Sequence, residues 1–154
     1  MKKIHNAVQN ALEAIELRYD YDQKNEVFNF RLTTEKTSYN QRLVPLEDYE
    51  LLVVITTFPI LVPEEKRFMF ANLINKINHS LLLGYFVMDP EDGELSFRVS
   101  CPLDDGAVNE TIVKVVISNS FQTMEKYFEE FLATFSAFPT TNLGATTEAV
   151  VAYA

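Results

Sequence analysis

The stretch from Tyr85 to Cys101 leaves the chain the fewest choices. Tyr85 to Met88 is aromatic and aliphatic, Asp89-Pro90-Glu91-Asp92-Gly93 is a turn sequence, and Glu94 to Cys101 alternates. Leu95, Phe97, Val99 and Cys101 share one face of the second run, and Ser96, Arg98 and Ser100 share the other. A period of two bounded by a turn with glycine at its end predicts a β-hairpin. A hairpin with one apolar face commits the chain to an antiparallel sheet that something else must cover.

The remaining patterns supply the cover and the other strands. Ile4, Val8, Leu12 and Ile15 recur at helical spacing and predict an amphipathic helix over residues 3–17. Asp20, Asp22, Lys24 and Asn25 read as a polar turn region. Phe28, Phe30 and Leu32 alternate with Asn29 and Arg31, which predicts a half-buried strand. The weaker alternation of Tyr39 to Val44 predicts an edge strand. Leu51 to Ile55 is apolar at every position and predicts a strand covered on both faces. Val62-Pro63-Glu64-Glu65 reads as a helix start, with Phe70, Leu73, Ile74, Ile77 and Leu81 on one face and Gly84 at the end.

The C-terminal third carries two apolar stripes. Val108, Ile112, Val115 and Val116 form one; Ile117, Phe121, Met124, Phe128, Phe131 and Phe135 form the other. Their phases disagree on a continuous helix, which predicts a break near Ser118-Asn119-Ser120. A strand over residues 111–117, rich in valine and isoleucine, is the alternative. Pro139 is expected to close the helix, and residues 139–154 to form a weakly anchored tail. The element order is helix, three strands, helix, two strands, helix: a single α+β domain over residues 1–138, with a twisted antiparallel sheet flanked by helices.

Composition narrows the function. The chain has 154 residues, 13 basic against 22 acidic, for a net charge of −9. That balance argues against a general nucleic-acid or anionic-membrane partner. No apolar run is long enough to span a bilayer, and Asn6, Gln9, Asn10 and Glu13 interrupt any export signal. The sequons at Asn78 and Asn109 then read as chance matches, and the single Cys101 fits a reducing, cytoplasmic setting.

No catalytic, cofactor or metal constellation emerges. Cys101, with His79 or His5 as base, would make a nucleophile, but its neighbours on the strand face predict a small buried hydrophobe. The two histidines have no ligand-like spacing to the cysteine. Asp89, Glu91, Asp92 and Glu94 lack the spacing of a calcium loop and read as a solvated turn, as does Asp104-Asp105-Gly106. Glu64-Glu65 and Glu129-Glu130 read as helix-terminal and solvated charge. The unusual feature is the series Asn72, Asn75 and Asn78, because asparagine is a poor helix former. Phe68, Asn72, Asn75 and His79 fall opposite the apolar stripe and form a candidate partner surface. The plain alternative is an exposed face, or asparagines bonded to nearby backbone.

Val62-Pro63 before a helix, Asn72-Leu73 and Asn75 to Asn78 within it, Gly84-Tyr85-Phe86 opening a hairpin, Asp89 and Gly93 at its turn, and Phe97-Arg98 on its second strand together resemble the YbjN-type family of bacterial sensory transduction regulators. The sequence detail lies between residues 62 and 103, while the element order extends the resemblance over residues 3–138. That family is similar in fold to the small acidic chaperones of type III secretion. The resemblance implies a helix-flanked twisted sheet, frequent dimerisation, and regulation or protein binding in place of catalysis. It implies no catalytic residues.

The leading expectation is therefore a non-enzymatic regulatory or chaperone-like module with a protein partner. It is expected to dimerise through helical or sheet-edge apolar surface, motivated by the 12 phenylalanines and 7 tyrosines. The alternatives are a small-ligand sensor with a pocket at the asparagine helix, and an enzyme using carboxylates gathered by the fold.

Overall fold

A computed structural model of the chain describes residues 2–137. Its elements run α1 (Lys3–Ala14), β1 (Asp20–Asp22), β2 (Val27–Thr33), β3 (Ser38–Leu46), β4 (Leu51–Thr57), α2 (Arg67–Ser80), β5 (Tyr85–Met88), β6 (Leu95–Pro102) and α3 (Glu110–Ser136). The six strands form one antiparallel sheet in the order β1-β2-β3-β4-β6-β5. The architecture is α+β, with the expected helices and hairpin in the expected order.

All three helices cover the same face. Phe28 and Phe30 of β2, Tyr39 and Leu43 of β3, Leu52 and Val54 of β4, Phe86 of β5, and Leu95, Phe97 and Val99 of β6 are buried there. Ile4, Val8 and Leu12 of α1, Phe70 and Ile77 of α2, and Val113, Met124 and Phe131 of α3 meet them from above. Aromatic rings join the last two helices to the sheet: Phe70 lies 4.7 Å from Phe135 and Phe86 lies 5.1 Å from Phe131.

Several expectations need correction. Helix α1 stops at Ala14 and not at residue 17, because Glu16 turns left-handed (φ 56°) and the Leu17 amide bonds back to the Leu12 carbonyl. Asp20 to Asp22 forms an edge strand, so the sheet has six strands. The turn proper is Asp22 to Asn25, with the Asp22 carboxylate accepting from the Lys24 and Asn25 amides. Strand β3 is interior, between β2 and β4. Its alternation looks weak because the polar Gln41 is one of its buried residues. Among the described residues, strand β4 is covered on one face only: Leu51, Val53 and Ile55 are half-exposed on the side opposite the helices. Helix α2 ends at Ser80, and Gly84 opens β5.

The largest correction concerns α3. It is one helix through Ser118-Asn119-Ser120, and residues 111–117 are helical. Its buried face runs Val113, Ile117, Ser120, Met124, Phe128 and Phe131, at spacings of three and four. Ser120, and not Phe121, continues the stripe. Its hydroxyl lies 2.5 Å from that of Thr56, which accepts from the Gln41 amide at 2.6 Å. Asn109 caps the helix by accepting from the Ile112 amide at 2.9 Å. Pro139 and the expected tail over residues 139–154 lie outside the described residues.

Candidate functional site

The corner formed by α2 and β5 is built from backbone constraints. Gly93 has φ 82°, and a Cβ there would stand 2.1 Å from the Val62 carbonyl oxygen. That close approach lets the Val62 amide donate to the Gly93 carbonyl at 2.8 Å. Gly84 has φ 78°, and a Cβ there would stand 2.6 Å from the Phe97 ring. Arg67, at the start of α2, donates to the carbonyls of Val62, Pro90 and Glu91. The hairpin turn is thus tied to the first turn of α2. The preceding residue, Lys66, is buried and donates to the carbonyls of Phe135 and Ala137 at the end of α3. It supplies a positive charge where the helix dipole is negative.

The outer edge of β5 is met by α2 itself. The Asn78 side-chain amide donates to the Phe86 carbonyl at 2.9 Å, and its oxygen accepts from the Phe86 amide at 2.7 Å. One side chain thereby makes both bonds that a neighbouring strand would make. Asn72 donates to the Phe68 carbonyl, one turn back on its own helix, at 3.1 Å. These two asparagines follow the plain alternative, and neither is aimed into a cavity. Asn75 and His79 are exposed. Phe68 is 74% exposed, while the other described phenylalanines are buried or half-buried. Phe68, Asn72, Asn75 and His79 accordingly line the solvent side of α2. The sequence reading missed Leu82, Leu83 and Tyr85, which extend exposed apolar surface past the helix end. Their signal was an apolar run whose helical phase places Leu82 off the buried stripe.

The other candidate residues do not converge. His5 packs edge-on to Tyr21 and against Phe28, with ring centroids 4.8 Å away in each case. Cys101 shares the helix-facing side with Leu95, Phe97 and Val99 but is half-buried at the strand end, and its thiol lies 3.6 Å from the Pro102 carbonyl. Asp89 and Asp92 accept from the Glu91 and Glu94 amides, which organises the turn. Among the described residues, no three histidine, cysteine, aspartate or glutamate side chains are grouped to hold a metal ion. Nor is any described helix long and apolar enough to cross a membrane.

The fold is similar to that of a chain in the ExsC–ExsE complex, at 12% identity and a TM-score of 0.58, covering 81% of this chain and 90% of that one. It is also similar to a chain in the HopA1–SchA chaperone–effector complex, at 14% identity and a TM-score of 0.55, covering 82% and 95%. No curated protein matches at a significant level. The model of the family described as "YbjN: Putative bacterial sensory transduction regulator" matches residues 5–133. With most of the described residues inside that match, the chain belongs to the YbjN family.

Proposed function

We propose that the chain acts without catalysis, as a regulatory or chaperone-like module that holds a protein partner on the outer face of α2. The observation that carries this reading is Phe68, a large aromatic side chain left 74% exposed while the rest of the described phenylalanines are sheltered. Asn75 and His79 continue the face with donors and acceptors, and Leu82, Leu83 and Tyr85 extend its apolar end. An exposed aromatic anchor beside polar groups suits a protein contact. The family membership and the presence of a chaperone–effector complex among the structural neighbours support the same reading.

The test is capture of partners on the tagged protein, read by mass spectrometry, for wild type and for Phe68→Asp combined with Asn72→Asp. A specific partner lost from the variant, with unchanged folding by circular dichroism, supports the reading. Identical partner sets overturn the assignment of the face.

A homodimer belongs to the same proposal, but its expected motive changes. Most of the described aromatic side chains fill the core, and of the exposed ones Phe68 and Tyr85 belong to the partner face at α2. What remains for a second copy is the side of the sheet that no described helix covers. There Leu46 pairs with Leu51, Val44 with Val53, and Ile55 follows on the same strand, all half-exposed. The edge of β5 is already met by Asn78, which argues for the sheet face over that edge.

A further inference from the structure

The side of the sheet that no described helix covers is not apolar throughout. One row crosses all six strands: Asp20, Asn29, Arg42, Ile55, Arg98 and Tyr85, each registered with the next. The neighbouring row is Arg31, Asn40, Thr57, Ser96 and Val87. Between the two rows at the β1 end lies a depression of about 450 Å³, whose polar lining includes Asp20, Asn29, Arg31, Asn40, Arg42 and Glu94. Its volume falls within the range of small-molecule sites.

The charges divide into a satisfied pair and an unsatisfied one. Arg42 donates to Glu94 at 3.2 Å. Arg31 spends its Nε on the Asn40 side-chain oxygen at 3.2 Å, which leaves its two terminal nitrogens without a bond among the described residues. The Asp20 carboxylate likewise has no partner among the described residues. Asp20 pairs with Asn29, two residues from Arg31 on the same face, so the two Cα atoms are roughly 8 Å apart. The guanidinium fork suits a carboxylate, and the Asp20 carboxylate suits an ammonium. Asn29, Asn40 and Thr57 surround the space with neutral donors and acceptors.

We propose that this depression binds a small zwitterion of the free amino acid class, with its carboxylate on Arg31 and its ammonium on Asp20. The site lies on the opposite side of the sheet from the helices, away from the asparagine helix that the ligand-sensor alternative named. It shares its side of the sheet with the proposed self-contact but lies away from α2, so its failure would leave the partner-binding reading of α2 untouched.

The experiment is titration of the full chain with each standard amino acid, followed through backbone amide spectra, with succinate and putrescine as anion-only and cation-only probes. Saturable binding of at least one amino acid is expected, with a Kd below about 1 mM and shifts centred on residues 29–31 and 40–42. Asp20→Asn and Arg31→Gln should each weaken it by about tenfold or more, Arg31→Lys by less than Arg31→Gln, and Asn72→Ala not at all. Saturation by none of the amino acids, or affinity unchanged in either charge variant, overturns the proposal. Succinate or putrescine binding as tightly as the best amino acid also overturns it, since one charge would then suffice.

Discussion

Ser120 decides how the last helix meets the sheet. It is wholly buried, and its hydroxyl and that of Thr56 satisfy each other across the interface. Replacing it with alanine removes one bond but leaves Thr56 its contact with Gln41. Ser120→Ala should therefore cost about 1 kcal/mol in urea denaturation. An unchanged midpoint would show that the bond adds nothing beyond the Gln41 contact. The residue also shows where sequence reading stops. A polar residue inside an apolar stripe looks like a break when its partner lies 64 positions away. Leu95, Phe97 and Val99 were legible because strand alternation is local, whereas the burial of Gln41 and Ser120 depends on their meeting. His5 gives a second prediction at this scale. Burial, and then repulsion from Lys2, hold its imidazole below the ordinary histidine value of 6.5, against the weaker pull of Glu26 and Glu47. The unfolded chain then takes up the proton more readily than the fold. This contribution to stability is whole above about pH 6.5 and is lost as pH falls toward the lower folded value. Between about pH 7 and pH 5 the urea midpoint of the wild type should fall more than that of His5→Gln, since the carboxylates common to both cancel. Parallel profiles would contradict the assignment.

Among the elements, α2 and β5 depend on each other most directly. Strand β5 has four residues and one strand neighbour, β6. Asn78 meets its other side with two bonds to Phe86. Asn78→Ala leaves an amide and a carbonyl to find water and opens an edge, which should cost about 1–3 kcal/mol. Asn75→Ala, on the exposed side of the same helix, should stay within about 0.5 kcal/mol. Equal effects in urea denaturation would show that the edge contact does not hold β5. The asparagine series was visible in the sequence as a propensity cost, but the division of labour within it was not. Spacing places Asn78 near the helix end, yet only the hairpin's return past α2 gives its amide two backbone partners. Strand β1 was hidden for a related reason. Asp20-Tyr21-Asp22 has one apolar residue, and its strand character comes from pairing with Val27, Phe28 and Asn29.

At the scale of the whole fold, the three described helices on one side leave the other side of the sheet divided into a charged half and an aliphatic half. Arg31, Arg42 and Arg98 lie in the charged half, although the chain as a whole carries −9. The aliphatic half, Val44, Leu46, Leu51 and Val53, is the outward side of the apolar run of β4 together with the part of β3 beside it, and Ile55 marks its border between Arg42 and Arg98. That run suggested a doubly covered strand because a single chain seldom presents five apolar residues in succession to water on either side. A second copy packed about a twofold axis would supply the missing cover with an identical aliphatic patch. Light scattering at micromolar protein should then give twice the chain mass of 17.7 kDa. Val53→Glu places a charge at the centre of that patch, with Ser100 and Val44 as its cross-strand neighbours. It should yield the single-chain mass while keeping the circular dichroism of the wild type, since the side chain is half-exposed within one copy. Phe68→Asp should leave the dimer mass unchanged, because α2 lies against the covered side at β5. A wild-type mass of one chain would exclude the dimer, and a dimer split by Phe68→Asp but not by Val53→Glu would move the self-contact to α2.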